Sequence, residues 1–106
     1  MKQRLWAAML LLFVVPAHAE YTVKGSVNCP DVVNEDSNEH YREYNRWWLL
    51  GYLSARNYAV DLLGADGLVG KNVEADEIYA MGLSFCEANA DKTWDDAAIH
   101  VYELLE

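Results

Sequence analysis

The sequence predicts an all-α fold: a small domain of three to four helices with a short extended N-terminal arm, closed by one disulfide. Three observations predict it. Apolar residues recur every three or four positions along most of the chain, whereas strict apolar–polar alternation is confined to one short segment. Two cysteines, Cys29 and Cys86, are available to join distant parts of the chain.

The first 19 residues are typical of a secretory signal peptide. Lys2 and Arg4 precede an apolar run at residues 5–15, and Ala17-His18-Ala19 forms a small-x-small cleavage site. The run is shorter than the roughly 20 residues that a membrane span needs. An N-terminal membrane anchor is therefore the weaker alternative. We expect cleavage after Ala19, leaving residues 20–106 as one domain.

The exported part of the chain is strongly acidic. Residues 20–106 hold all 17 acidic side chains and six of the eight basic ones, a formal charge of −11. Such a surface repels nucleic acid and anionic membranes, so neither is an expected partner. A basic protein partner is compatible with it.

The two cysteines are expected to form a disulfide, because an even pair in an exported chain usually does. In the chain-entropy model, closing a loop of this size stabilises the fold by roughly 4 kcal/mol. A metal pair or a redox pair is less favoured. There is no C-x-x-C, and Cys29 and Cys86 with His40 and His100 do not have zinc spacing. No metal or other cofactor is expected.

The arm is predicted from alternation at residues 20–29, which ends at Pro30. It should pack on the domain's own core rather than pair with a partner, although pairing with a second copy stays open. Residues 31–38 are polar and read as a loop. Asp36 followed by Glu39 resembles a capping box at the start of the first long helix.

The spacing of three and four residues predicts the helix, and its predicted apolar face is Tyr41, Tyr44, Trp48, Tyr52, Ala55, Ala59 and Leu62. Gly64 should end it. A helix of about 27 residues would be roughly 40 Å long, too long for a domain of this size. We expect a break or bend at residues 39–46 or near Gly51. Gly51 should also mark a close approach of another backbone.

Two further helices follow a glycine-rich connection at residues 64–73. The second covers about residues 74–88, with Asn72 as a candidate cap. The last begins with a capping box of Thr93 and Asp96. Their predicted apolar faces are Ala75, Ile78, Gly82, Phe85 and Cys86, and Trp94, Ala97, Ala98, Val101 and Leu105.

No catalytic motif stands out, and we expect a protein that is not an enzyme. A small hydrolase is a remote alternative that would need groups from distant segments to converge. The candidate binding residues are aromatic: Trp47, Trp48, Tyr52 and Tyr58. Core packing is the first interpretation of this cluster. Because the bulky residues at positions 47–50 cannot all face one core, Trp47 or Leu50 should be partly exposed, and exposed aromatic residues commonly anchor protein interfaces.

Several residues together resemble the HdeA-like group of small exported bacterial proteins, which is similar in pattern to periplasmic immunity proteins of the Rap/Tai kind. They are Cys29, the run Trp48-x-x-Gly51-Tyr52-Leu53-Ser54, Cys86-x-x-Asn89, Ala97 and Leu104-Leu105. Two positions depart from that pattern: Ala90 stands where Pro is frequent, and Ala55 where Gly is common.

The resemblance implies a periplasmic, disulfide-closed helical protein that binds other proteins without cofactor or catalysis. An acid-stress chaperone is the first expectation. At pH near 2 the exported chain would carry about +9, and self-repulsion would loosen it and expose apolar faces to unfolding clients. The alternative is an immunity protein that inhibits one secreted toxin, for which an acidic surface would suit a basic partner.

Overall fold

The computed structural model describes residues 27–106, which form four helices. They are α1 (Cys29–Glu35), α2 (Glu39–Leu62), α3 (Ala75–Ala88) and α4 (Trp94–Leu105). Within this part of the chain the only β pairing is one isolated bridge, between Asn28 and Thr93. The predicted all-α class is confirmed. The signal peptide and most of the arm lie outside the described residues.

The short helix α1 corrects the sequence prediction, which gave a loop over residues 31–38. Pro30 stands in its first turn, where the missing N–H is no loss and the fixed φ suits a helix. Cys29 and Val32 are fully buried. Seven residues are too few to show helical periodicity, and so short a helix depends on tertiary burial rather than on its own propensity.

The start of α2 is capped by Asn38 and not by Asp36, as had been predicted. The Asn38 Oδ1 accepts hydrogen bonds from the backbone N–H groups of His40 and Tyr41, at 3.1 and 3.2 Å. Asp36 instead ends α1, and its Oδ1 accepts a 2.7 Å hydrogen bond from the Tyr79 hydroxyl. Burial and this hydrogen bond raise the pKa of Tyr79.

The long helix α2 runs for 24 residues without interruption, so the predicted break is wrong. Its length is accommodated because its last turns extend beyond the core. Leu62 is 68% exposed and Leu63, the C-cap, is 84% exposed. Gly51 is exposed and nothing lies within 4 Å of a Cβ built on it. The expected close approach at Gly51 is therefore also wrong.

The buried face of α2 differs from the predicted one. Asn45, Leu49 and Leu53 are buried, whereas the seven residues of the predicted face are half-buried or exposed. The segment 47–53 is apolar nearly all round, so periodicity alone does not determine which side faces the core. The helix is turned so that the smaller leucines, rather than the tyrosines, enter the core.

The last two helices follow the predictions closely. α3 begins one residue after Glu74, which takes the cap position in place of Asn72. Thr93 and Asp96 form the predicted capping box of α4. Tyr79 of α3 and Tyr102 of α4 are also buried, although neither belonged to the predicted apolar faces. A close approach occurs in this region, at Gly82 of α3: a Cβ there would lie 2.7 Å from Cη2 of Trp94 and 3.2 Å from Cδ2 of Leu49.

The predicted disulfide is confirmed and joins the start of α1 to α3. The Cα atoms of Cys29 and Cys86 are 4.7 Å apart, and both residues are buried. Beside it, the Trp94 N–H donates to the Val27 carbonyl at 2.8 Å, and the Cys29 N–H donates to the Lys92 carbonyl at 2.9 Å. The described end of the arm therefore packs on its own chain, next to the start of α4.

Two glycine substitutions should have opposite effects. Gly82→Ala should destabilise the fold by about 1–3 kcal/mol, because the new methyl group would overlap the Trp94 ring. Gly51→Ala, at an exposed helical site, should stabilise it by about 0.5–1 kcal/mol. Thermal unfolding of the two oxidised variants and the wild type measures both. Equal melting temperatures for the two variants would contradict this account of the packing.

Candidate functional site

The most exposed aromatic side chains of α2 lie along one side of the helix. Tyr44 is 63% exposed, Trp47 62% and Tyr58 66%. Positions 47 and 58 are three helical turns apart and differ by about 20° around the axis, and Tyr44 lies about 60° away. We call Tyr44, Trp47 and Tyr58 the aromatic face of α2. Large rigid rings with accessible surface are typical anchors of protein interfaces.

Only two of the four predicted binding residues belong to this face. Trp47 and Tyr58 are exposed, whereas Trp48 and Tyr52 are half-buried and pack against the core. Trp48 and Tyr52 stack on each other with ring centroids 5.8 Å apart. Both rings are thus half-buried against the core and lie outside the aromatic face.

Arg56 links the core-facing side of α2 to α4. Its guanidinium lies 3.8 Å from the ring centroid of Tyr102 in α4, and it donates a 3.2 Å hydrogen bond to the Tyr52 hydroxyl. The hydrogen bond to Tyr52 is the main cause of a raised pKa for Arg56. This cation joins two helices and does not face the exposed aromatic face.

Sequence reasoning missed Tyr44 as a surface residue, because helical spacing placed it on the predicted core face. In the fold its ring makes an edge contact with His40, with centroids 4.8 Å apart. The sequence does hold a signal for the true buried face of α2. Asn45, Leu49 and Leu53 follow one another at intervals of four residues and form a second, narrower row along the helix.

An apolar groove opens beside Trp47, between α2, the loop that follows it and the start of α3. Its volume is about 480 Å³. Its lining includes Trp47, Leu50, Leu53 and Ser54 from α2, Leu68, Val69, Gly70 and Lys71 from the loop, and Ile78 from α3. Because Trp47 also belongs to the aromatic face, groove and face are continuous.

Asn57 holds the loop against α2 and so forms one wall of the groove. Its Nδ2 donates to the Val69 carbonyl and its Oδ1 accepts from the Val69 N–H, both at 2.9 Å. Val69 is 6% exposed and is held where its side chain enters the core. No sequence signal identified this pair, since Asn57 looks like any polar helical residue.

The described residues include no group of three or more His, Cys, Asp or Glu side chains that could hold a metal ion. Over residues 27–106 no helix has the length and apolar character to cross a membrane. The two histidines considered above lie against aromatic rings: His40 against Tyr44, and His100 against Phe85 at 4.9 Å.

Comparison of the chain with protein-family models, with curated proteins and with solved structures gave no match. The HdeA-like resemblance consequently stays a prediction from the residues quoted above.

Asn57→Ala should loosen the loop by leaving the buried N–H and C=O of Val69 without partners. The expected cost is about 1–3 kcal/mol. Hydrogen exchange at the Val69 amide should become about fivefold to a hundredfold faster, the range that corresponds to this cost. Asn72→Ala, an exposed position in the same connection, is the matched control. Equal exchange rates at Val69 in both variants would contradict the role of Asn57.

Proposed function

We propose that this chain is a non-catalytic, periplasmic protein that acts by binding another protein through the aromatic face of α2. The observation that carries the proposal is the exposure of Tyr44, Trp47 and Tyr58 in the folded state. Isolated exposed apolar residues are common, but three large exposed rings on one side of a single helix form a candidate interface.

Exposure in the folded state favours a folded partner bound near neutral pH. The rings need no unfolding to become accessible, and the helix that carries them is continuous and anchored through Leu49 and Leu53. A preorganised surface loses little entropy on binding. This is the behaviour of a specific inhibitor, such as an immunity protein, and an acidic chain would attract a basic toxin by electrostatic steering.

The test is capture of a partner at neutral pH. The full chain should be expressed with its own N-terminus, recovered from the periplasm with its disulfide intact, and used to capture proteins from cells of its natural source. We expect one dominant protein to be retained. Replacing Tyr44 and Tyr58 by Ser should weaken its binding by about tenfold or more.

The matched control replaces Ile99 and Leu104 by Ser, two exposed apolar residues of α4. This variant should capture the partner as the wild type does. Equal losses in both double variants, or no loss in either, would overturn the assignment to the aromatic face. Failure to recover the protein from the periplasm would overturn the proposed location.

An acid-stress chaperone is the second candidate, supported by charged contacts that acid would weaken. The Tyr79 hydroxyl bonds the Asp36 carboxylate between α3 and α1, and Arg46 lies 3.2 Å from Asp76 between α2 and α3. A hydrogen bond to a carboxylate weakens when the carboxylate is protonated. Protonation would also leave the chain strongly cationic, and both effects loosen the packing of helices.

Light scattering of an acid-labile client at about pH 2–3 tests this second function, with near-ultraviolet circular dichroism of the protein alone. Suppressed scattering together with loss of the tertiary signal is the result expected of a chaperone. A protein that keeps its tertiary signal, or unfolds without protecting the client, would exclude acid-activated chaperoning and leave the specific inhibitor.

A further inference from the structure

We infer that the groove beside Trp47 binds a fatty acid, an unbranched alkyl chain that ends in one carboxylate. The inference goes beyond the proposed function, because it assigns a small ligand to a site that the partner-capture test does not address. Three features of the described residues carry it: the apolar walls of the groove, the two polar side chains in its lining that have no partner, and the sign of the charge in that lining.

The walls of the groove suit an alkyl chain. Its apolar lining side chains are Trp47, Leu50, Leu53, Leu68, Val69 and Ile78, and its volume of about 480 Å³ is typical of a small-ligand site. The wall that α2 provides extends from Trp47 to Asn57, about 15 Å along the helix axis. This is roughly the length of an extended chain of ten to twelve carbons. Such a chain would remove apolar surface from water, since Leu68 is 52% exposed and Trp47 62% exposed.

The polar side chains of the lining can donate hydrogen bonds to a ligand at two positions. The Asn57 amide is not one of them, because both of its polar atoms bind Val69. Among residues 27–106, neither the Ser54 hydroxyl nor the Lys71 ammonium has a hydrogen-bond or ion-pair partner. An ammonium group only donates, and a hydroxyl can donate once. A carboxylate, which only accepts, is the ligand group that suits both.

The charge in the lining is positive, although the chain as a whole is acidic. Lys71 is the one ionisable residue among those that line the groove, and it is exposed. Arg46 lies 5.6 Å from the ring centroid of Trp47, but it is paired with Glu43 and Asp76, and none of these three residues lines the groove. One cation in the lining matches one carboxylate. A ligand with several negative charges would be repelled by the rest of the chain.

An acidic peptide suits the groove less well than a fatty acid does. A peptide brings a backbone N–H and C=O with nearly every residue, and these groups cost free energy when they are buried without partners. The side chains of the described lining offer two unpartnered polar groups, fewer than a segment of three residues would bring. An alkyl chain has no polar group to satisfy, so its burial is favourable along its whole length.

Two ligands that differ in the sign of the head group test this chemistry: decanoate and decylammonium, an anion and a cation at neutral pH. Each is added to the full-length oxidised protein below the concentration at which it forms micelles, and binding is followed by amide and indole chemical shifts. We expect decanoate to shift the Trp47 indole and the amides of Leu68, Val69 and Lys71. Its affinity there should be about fivefold higher than that of decylammonium. Acetate, which has the carboxylate without the chain, should not shift these signals at the same concentration.

Two pairs of variants locate the binding. Lys71→Glu should lower the decanoate affinity by about tenfold and raise that of decylammonium. Lys92→Glu makes the same change of charge at an exposed lysine that does not line the groove, and both affinities should stay within about twofold of the wild type. Ser54→Trp should fill the groove and weaken decanoate binding by about tenfold, whereas Ser84→Trp, exposed on α3 outside the groove, should not.

The proposal is overturned if decylammonium binds in the groove as tightly as decanoate, if Lys71→Glu and Lys92→Glu have equal effects, or if the decanoate shifts fall outside the groove. Tighter binding of the blocked peptide EELFEE than of decanoate would also overturn it and would assign the groove to an acidic protein segment. These outcomes are separate from the partner-capture test, since Tyr44 and Tyr58 do not line the groove. Capture that depends on Tyr44 and Tyr58, with no decanoate binding, would leave the proposed function standing without this ligand.

Discussion

Trp94 contacts α2, α3 and the segment before α1, and the arrangement of the helices depends on its position. Its indole N–H donates a 2.9 Å hydrogen bond to the Asn45 carbonyl of α2, and its ring lies over Gly82 of α3 and makes an edge contact with Tyr79. Its backbone N–H pairs with Val27. With the ring 2% exposed, one residue at the start of α4 sets how α2 and α3 approach each other. The disulfide closes the same end of the domain by joining α1 to α3.

This packing explains why one surface of α2 is left uncovered. Contacts through Asn45, Leu49 and Leu53 orient the helix, and its opposite side then carries Tyr44, Trp47 and Tyr58 into solvent. Past Leu53 the helix has no buried residue of its own, and it is held by the contact of Arg56 with Tyr102 and by the loop that Asn57 binds. The groove exists because that loop folds back along the helix without covering it. The aromatic face is thus the side of α2 that the core does not cover, and its Tyr58 end lies where the helix extends past the core.

The all-helical class and the disulfide could be predicted from the sequence. Helices and their ends depend on residues close together in the chain, and two cysteines allow one disulfide within the chain. The Thr93–Asp96 box and the stop at Gly64 are examples. Three other features depend on tertiary packing and could not. The first is the short helix α1, whose Cys29 and Val32 are buried. The second is that Gly82, and not Gly51, lies against a neighbouring ring. The third is that the leucines of α2, and not its tyrosines, face the core. The sequence contains two helical glycines, Gly51 and Gly82, and two rows of apolar residues along α2. Only the position of Trp94 in the fold shows which glycine is in close contact and which row is buried. For the same reason half of the candidate site, Trp48 and Tyr52, lies on the packed side.

The two proposed functions make opposite demands on the same contacts. A specific inhibitor needs the aromatic face and the groove to keep one geometry. The packing of Trp94, the two hydrogen bonds between Asn57 and Val69, and the disulfide all favour this. An acid-activated chaperone needs helix contacts to loosen on protonation. The contacts described above that include a carboxylate are those of Asp36, Glu43, Asp76 and Asp96. The apolar contacts and the neutral hydrogen bonds of Trp94 and Asn57 do not titrate between neutral and acid pH. Loosening would therefore have to come from overall charge repulsion acting against a core that the disulfide continues to hold. A surface already open in the folded state avoids this requirement, and that is the physical reason for placing specific binding first.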